Sequence, residues 1–290
     1  MIANGLLKQW RVLDMVKVNQ PVMTGSNTLK LRENDRHRLG VLFQMTGLTK
    51  IRVLLGVRFT DAVHTIINNN RLHLLDLEVK KAWMVPRIEF PRLTRLAVST
   101  DRPEMPPMAL CPSLKTLRLP AFPYSIVTAQ GRFNDFLTQL PVENITSFHM
   151  MGARYEDQEW DLDTLHAVVS RVASMTNLTH LQLTLSHKGI LHFDHPINLL
   201  FTSLHNLEHL VLHLLNRNDL AKTLKDGMLE KLMASNPNLR LLVLRRFKIG
   251  KRDREVLFNN RKIQHAEIIG SLRQKPIGFT REYMYNRHQF

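Results

Sequence analysis

NPNLRLLVL, residues Asn236 to Leu244, is the stretch on which the architecture turns. Its leucines Leu239, Leu242 and Leu244 stand at relative positions 1, 4 and 6 of a short phrase. Working outward, the same phrase recurs upstream as NLEHLVL (Leu207, Leu210, Leu212), NLTHLQL (Leu178, Leu181, Leu183) and NITSFHM (Ile145, Phe148, Met150). Further upstream it reads SLKTLRL (Leu114, Leu117, Leu119), RLTRLAV (Leu93, Leu96, Val98), RLHLLDL (Leu72, Leu75, Leu77) and GLTKIRV (Leu48, Ile51, Val53). A weaker copy, KIQHAEI (Ile263, Ala266, Ile268), follows it. A single copy would mean little in a leucine-rich chain, but a recurring one sets a period.

The starts are 24, 21, 21, 31, 33, 29, 32 and 24 residues apart, in or just above the period of about 20–29 expected for leucine-rich repeats. Positions 4 and 6 alternate with polar positions 3 and 5, the two-residue period of a half-buried strand. Parallel strands need crossovers, and the sequence predicts helices for them. Asp161 to Ser174 carries Leu162, Leu165, Val169 and Val172 on one face, with Asp161 as N-cap. Asp219 to Met233, Arg132 to Leu140, Asp61 to Asn68 and the shorter Asp253 to Phe258 are further candidates. Pro86, Pro91, Pro103, Pro106 and Pro107 predict turns or extended chain where the spacing is shortest. The expected fold class is α/β: a leucine-rich-repeat solenoid, curved like a horseshoe, with a parallel concave sheet and convex helices and turns. Length alone suggests about two domains, but the repeat favours one stacked array.

Residues 46–270 form the expected array. Residues 1–45 are expected to be a cap or degenerate first repeats. There QWRVLDM (Trp10, Leu13, Met15) keeps the spacing, SNTLKLR (Ser26, Leu29, Leu31) keeps it poorly, and Leu39, Val41, Leu42 and Met45 suggest a helix. Residues 271–290 read as a basic, aromatic tail or cap.

Composition narrows the class. Lys and Arg total 40 against 25 Asp and Glu, a net charge of +15, and apolar residues make up 44%. That is enough apolar content for a large core. One cysteine, Cys111, leaves no internal disulfide framework. No apolar run approaches the roughly 18 residues of a membrane span, and no secretory leader is visible. The expectation is a cytoplasmic or nuclear protein without a membrane partner.

NPNLRLLVL, CPSLKTLRLP and FPRLTRLAV resemble intracellular leucine-rich repeats. The long, helix-containing units resemble those of F-box leucine-rich-repeat proteins, and QWRVLDM looks like the strand that follows the F-box there. The resemblance implies a substrate-receptor array and, as partners, ubiquitin-ligase subunits. An F-box is longer than the nine residues that precede Trp10, so the recruiting role is carried over to no residue here.

No hydrolase elbow, phosphate loop, dinucleotide fingerprint or H-E-x-x-H is present. The expectation is a non-enzymatic module without cofactor or metal. Glu156, Asp157, Glu159, Asp161 and Asp163 read as a solvated loop and helix start. Positions 3, 5 and 7 should project from the concave sheet. They carry Lys50 and Arg52, then Asp76 and Glu78, then Arg95 and Arg118, then His149, His180, His209, His213 and His265, then Arg245, a mixed but mostly basic groove. For the histidines three readings stand: a solvated polar row, a pH-sensitive partner surface, or a metal site. Arg246, Lys248, Lys251, Arg252 and Arg254 add a basic patch within residues 240–262. It reads as solubility charge, as a surface for an acidic protein, or as a nucleic-acid contact acting with the tail.

Overall fold

A computed structural model describes residues 12–15, 23–24, 28–29, 46–53, 60–79, 84–98, 108–122, 136–152, 160–187, 189–215, 220–270 and 277–280. The chain divides into two compact units, Met1–Asn144 and Ile145–Phe290, and each is taken by itself. The expected helix at Leu39–Met45, the residues Glu156, Asp157 and Glu159, and the tail beyond Thr280 lie outside the described residues.

The first unit holds strands β1 (Val12–Met15), β2 (Met23–Thr24), β3 (Thr28–Leu29), β4 (Lys50–Val53), β5 (Asp76–Val79), β6 (Arg95–Val98) and β7 (Thr116–Phe122). Their spatial order is β7-β6-β5-β4-β1-β3-β2. All pairs are parallel except β2 with β3. Leu13 and Met15 lie in register with Ile51 and Val53, which puts them in phase with the repeats. Helix α1 (Thr60–Asn70) makes the first described crossover and buries Val63, Ile66 and Ile67.

Side chains at 1-4-6 are buried in each described repeat of this unit, but the second repeat is shifted by two residues. Its buried set is Leu74, Leu77 and Val79, not Leu72, Leu75 and Leu77, and Leu72 is 55% exposed. The stretch RLHLLDLEV fits both registers. Two physical terms choose between them. Helix α1 runs on to Asn70, so Leu72 falls in the turn Arg71–His73. The shifted register also brings Asp76 opposite both Lys50 and Arg95. Asn70 is fully buried and latches the turn: its Oδ1 accepts from Leu48 N–H at 2.8 Å, and its Nδ2 donates to Ile66 C=O at 2.7 Å.

The second unit holds β8 (Ser147–Gly152), β9 (His180–Ser186), β10 (His209–Leu215), β11 (Lys222–Thr223), β12 (Leu241–Arg245), β13 (Phe247–Lys248), β14 (His265–Ile269) and β15 (Ile277–Thr280). The main order is β15-β14-β12-β10-β9-β8, with β11 and β13 paired separately. Crossovers are made by α2 (Leu162–Ala173), α3 (Asp194–Ser203), α4 (Met228–Ser235) and α5 (Lys251–Asn259). Consecutive helices pack side by side.

Asp161 caps α2, its carboxylate accepting from Thr164 N–H at 2.7 Å, a contact worth about 1 kcal/mol. The helix expected over Asp219–Met233 begins only at Met228. Gly227 precedes it at φ 82°, a left-handed turn that suits glycine, and residues 222–223 are strand instead. Buried Asp253 accepts from Gly227 N–H at 3.2 Å. Helix α3 was not expected from sequence. It carries Pro196 inside its first turn, where a missing N–H costs nothing.

Asn236 repeats the Asn70 arrangement at the turn after α4. It is buried; its Oδ1 accepts from Leu207 N–H, and its Nδ2 donates to the carbonyls of Leu204 and Leu232. The strand β15 pairs antiparallel with β14 and covers its free edge, where unpaired backbone would otherwise face solvent. A parallel strand, a turn and a crossover, recurring with one buried apolar set per turn, make both units a leucine-rich-repeat α/β fold.

Candidate binding faces of the sheets

In the second unit, strand register stacks equivalent positions into rows. Ser147, His180, His209, Leu241 and His265 form the first row, at position 3. His149, Gln182, Val211, Val243 and Glu267 form the second, at position 5. Thr184, His213, Arg245 and Ile269 form a third, at position 7. Positions 4 and 6 are buried beneath the crossovers, so the alternation of the pleat aims these rows at the other face.

His180 and His209 meet as the sequence predicts. Their ring centroids are 4.3 Å apart and the planes cross at 75°. His180 Nδ1 lies 2.8 Å from Thr179 Oγ1. Burial lowers the pKa of both. His209 is lowered to about 4, by burial first and then by His180, against the opposing pull of Glu208. At neutral pH the pair is therefore uncharged. His149 departs from the exposed role expected of it. It is buried, and both ring nitrogens are engaged, Nε2 with Ser147 Oγ at 2.9 Å and Nδ1 with Gln182 Oε1 at 3.2 Å. His213 stands part-exposed beside Arg245 in register, and Arg245 is exposed.

Sequence reasoning missed the apolar part of this face. Leu241 and Val243 occupy positions 3 and 5 yet are only 8% and 6% exposed. Together with part-exposed Val211 they set an apolar seam among the histidines. The signal was visible in NLRLLVL, which is apolar at positions 3 and 5 as well as at 1, 4 and 6. Among the described residues no group of three or more His, Cys, Asp or Glu is placed to hold a metal ion.

The first unit's face is charged. Asp76 accepts ion pairs from Lys50 Nζ at 3.0 Å and from Arg95 Nη1 at 2.7 Å. Glu78 Oε2 lies 3.1 Å from Arg52 Nε. The cations read from sequence as partner contacts are thus largely neutralised within the sheet. Arg118 lies in register with Ala97, diagonal to Arg95.

The residues of the basic patch are spread over several elements. Arg245 ends β12, Arg246 sits in a left-handed turn at φ 66°, and Lys248 lies on β13. Lys251, Arg252 and Arg254 are exposed on α5. Arg252 pairs with Glu230 at 2.7 Å. Arg240, Arg261 and Lys262 precede strands β12 and β14, at the opposite strand ends. Arg246 is part-buried, and burial lowers its pKa.

Among the described residues, no helix is long and apolar enough to cross a membrane. No known protein-family model matches the chain, and no curated protein matches it. Among solved structures, the crystal structure of a TLR13–ssRNA13 complex is similar over 76% of this chain, with 14% identity and a TM-score of 0.45. This chain spans 31% of that one.

Proposed function

We propose that this protein is a non-enzymatic interaction scaffold that holds a protein partner on the exposed sheet face of its repeats. The observation that carries the reading is the row structure of the second unit. His180, His209, His213 and Arg245 surround the apolar seam of Val211, Leu241 and Val243. Rigid strands fix that mixture of aromatic, polar and apolar groups, and such mixtures suit protein interfaces. The net charge of +15 favours an acidic partner. A substrate-receptor role like that of F-box leucine-rich-repeat proteins, with ubiquitin-ligase subunits in the same complex, is the preferred subtype. Its basis is the likeness of the repeat phrases in sequence.

The test is affinity purification from the native cell, with mass spectrometry, of wild type against the triple variant His180→Ala/His209→Ala/Arg245→Glu. A control variant, Arg252→Glu/Arg254→Glu, alters charge on α5 only. The reading expects a partner that the triple variant loses and the control keeps. A partner lost equally from both would refute the face assignment. The second reading, an adaptor for nucleic acid through residues 240–262 and the tail, rests on the exposed Arg245, Lys248, Lys251 and Arg254. It expects recovery of RNA-associated proteins that nuclease abolishes, with binding that falls steeply as salt rises.

A further inference from the structure

On the first unit's sheet face, four cations share two carboxylates. Lys50 and Arg95 both pair with Asp76, and Arg52 pairs with Glu78. Arg118 has no ion pair with either carboxylate. Among the described residues it forms no hydrogen bond or ion pair, although its side chain is part-buried and lies within electrostatic range of Arg95, Arg52, Glu78 and Asp76. A sheet of this kind could place any residue at position 5 of the fourth repeat. A part-buried guanidinium with no directly paired carboxylate is costly there, from desolvation and from repulsion by Arg95, which the more distant Glu78 and Asp76 only partly offset. Its charged state is accordingly disfavoured, first by burial and then by Arg95. On the β6 side the residue in register with it is Ala97, whose methyl group offers it no polar partner.

We propose that Arg118 is the carboxylate-recognition residue of this face, receiving one Asp or Glu side chain from an acidic segment of a protein partner. The proposal rests on the scaffold reading above and refines it: Lys50, Arg52 and Arg95 form the internal charge lattice, and Arg118 makes the contact. A guanidinium presents a planar fork that a carboxylate fills with two charge-assisted hydrogen bonds. Asp76 and Glu78 decide against a continuous polyanion. A nucleic-acid strand laid along the face would have to bring phosphates past both carboxylates, whereas a single side chain can enter over Arg118 and Ala97. The described face positions of this unit, Lys50, Arg52, Asp76, Glu78, Arg95, Ala97, Thr116 and Arg118, also offer no aromatic ring on which a base could stack.

The experiment is a titration of the isotope-labelled full chain, watching arginine Nε–H signals by NMR. The Arg118 signal is assigned through Arg118→Lys. The probe is the capped peptide acetyl-Gly-Glu-Gly-amide, with its Gln and phosphoserine counterparts. The expected result is a saturable shift of the Arg118 signal with the Glu peptide, at least about tenfold weaker with the Gln peptide, and smaller shifts at Arg52 and Arg95. A shift at Arg118 no larger than that of exposed Arg254 would overturn the proposal, since it would reflect a general ion atmosphere. Tighter binding of the phosphoserine peptide, or displacement of the Glu peptide by a thymidine oligonucleotide, would overturn it in favour of phosphate. The probe is a bare peptide. A silent Arg118 therefore sinks this proposal while the capture result stands, and failed capture with a responsive Arg118 sinks the scaffold reading alone.

Discussion

Replacing Asn236 by alanine should cost the second unit about 4 kcal/mol, within a range of ~2–6 kcal/mol. The side chain is 2% exposed and serves three backbone groups. The Leu232 carbonyl keeps a partner in Asn236 N–H. Among the described residues, Leu207 N–H and the Leu204 carbonyl have only the Asn236 amide, at 2.8 Å each. Alanine would leave both buried and unsatisfied, and each such group costs about 1–3 kcal/mol. Water could rescue them only by opening the turn that links α4 to β12. The assay is urea unfolding of the full chain followed by circular dichroism, with hydrogen exchange read at the Leu207 amide. The control is Asn206→Ala. Asn206 is exposed and donates to the Thr176 carbonyl at 2.9 Å, so its loss should cost within about 0.5 kcal/mol. The reasoning is refuted if Asn236→Ala costs less than about 1 kcal/mol or no more than the control.

Three further outcomes are expected. His209 titrates at about 4 in the fold against about 6.5 unfolded, so between those values the unfolded chain binds more protons. Its contribution is present above about pH 6.5 and is lost as pH falls toward 4; His209→Gln should flatten the melting temperature over that window, and an unchanged slope would contradict the assignment. Cys111 is fully buried and its thiol is pushed up to about 12, so a thiol reagent should label it only on unfolding; labelling of the native protein at the rate of a free thiol would show the repeat to be open. At Gly278 an added Cβ would overlap the Ala266 carbonyl oxygen, so Gly278→Val should detach β15 and speed amide exchange over His265–Ile269 at least about tenfold. Unaltered exchange there would mean that β15 is dispensable to the edge.

The sequence by itself determined the repeat. Apolar residues at 1-4-6 define a strand and its buried face through local stereochemistry alone. Leu48, Leu93, Leu114, Ile145, Leu178, Leu207, Leu239 and Ile263 therefore lie in the core where the phrase puts them. Asp161 was legible as a cap for the same reason, because its partner Thr164 is three residues away. The pairing of His180 with His209 was legible too, since equal phase in neighbouring parallel strands makes them neighbours.

The tertiary structure alone decided what depends on competition between distant groups. RLHLLDLEV admits two registers, and only the helix end at Asn70 and the Asp76 ion pairs select the second. The pairing of charges on the faces was likewise hidden. The sequence reads as a mixed, mostly basic groove with Asp76 and Glu78 between Arg52 and Arg95, and only the fold shows that Asp76 pairs with Lys50 and Arg95 and Glu78 with Arg52. Periodicity fixes which way a side chain points. Which opposite charge or buried amide it meets there depends on strands far apart in sequence, and only folding brings those together.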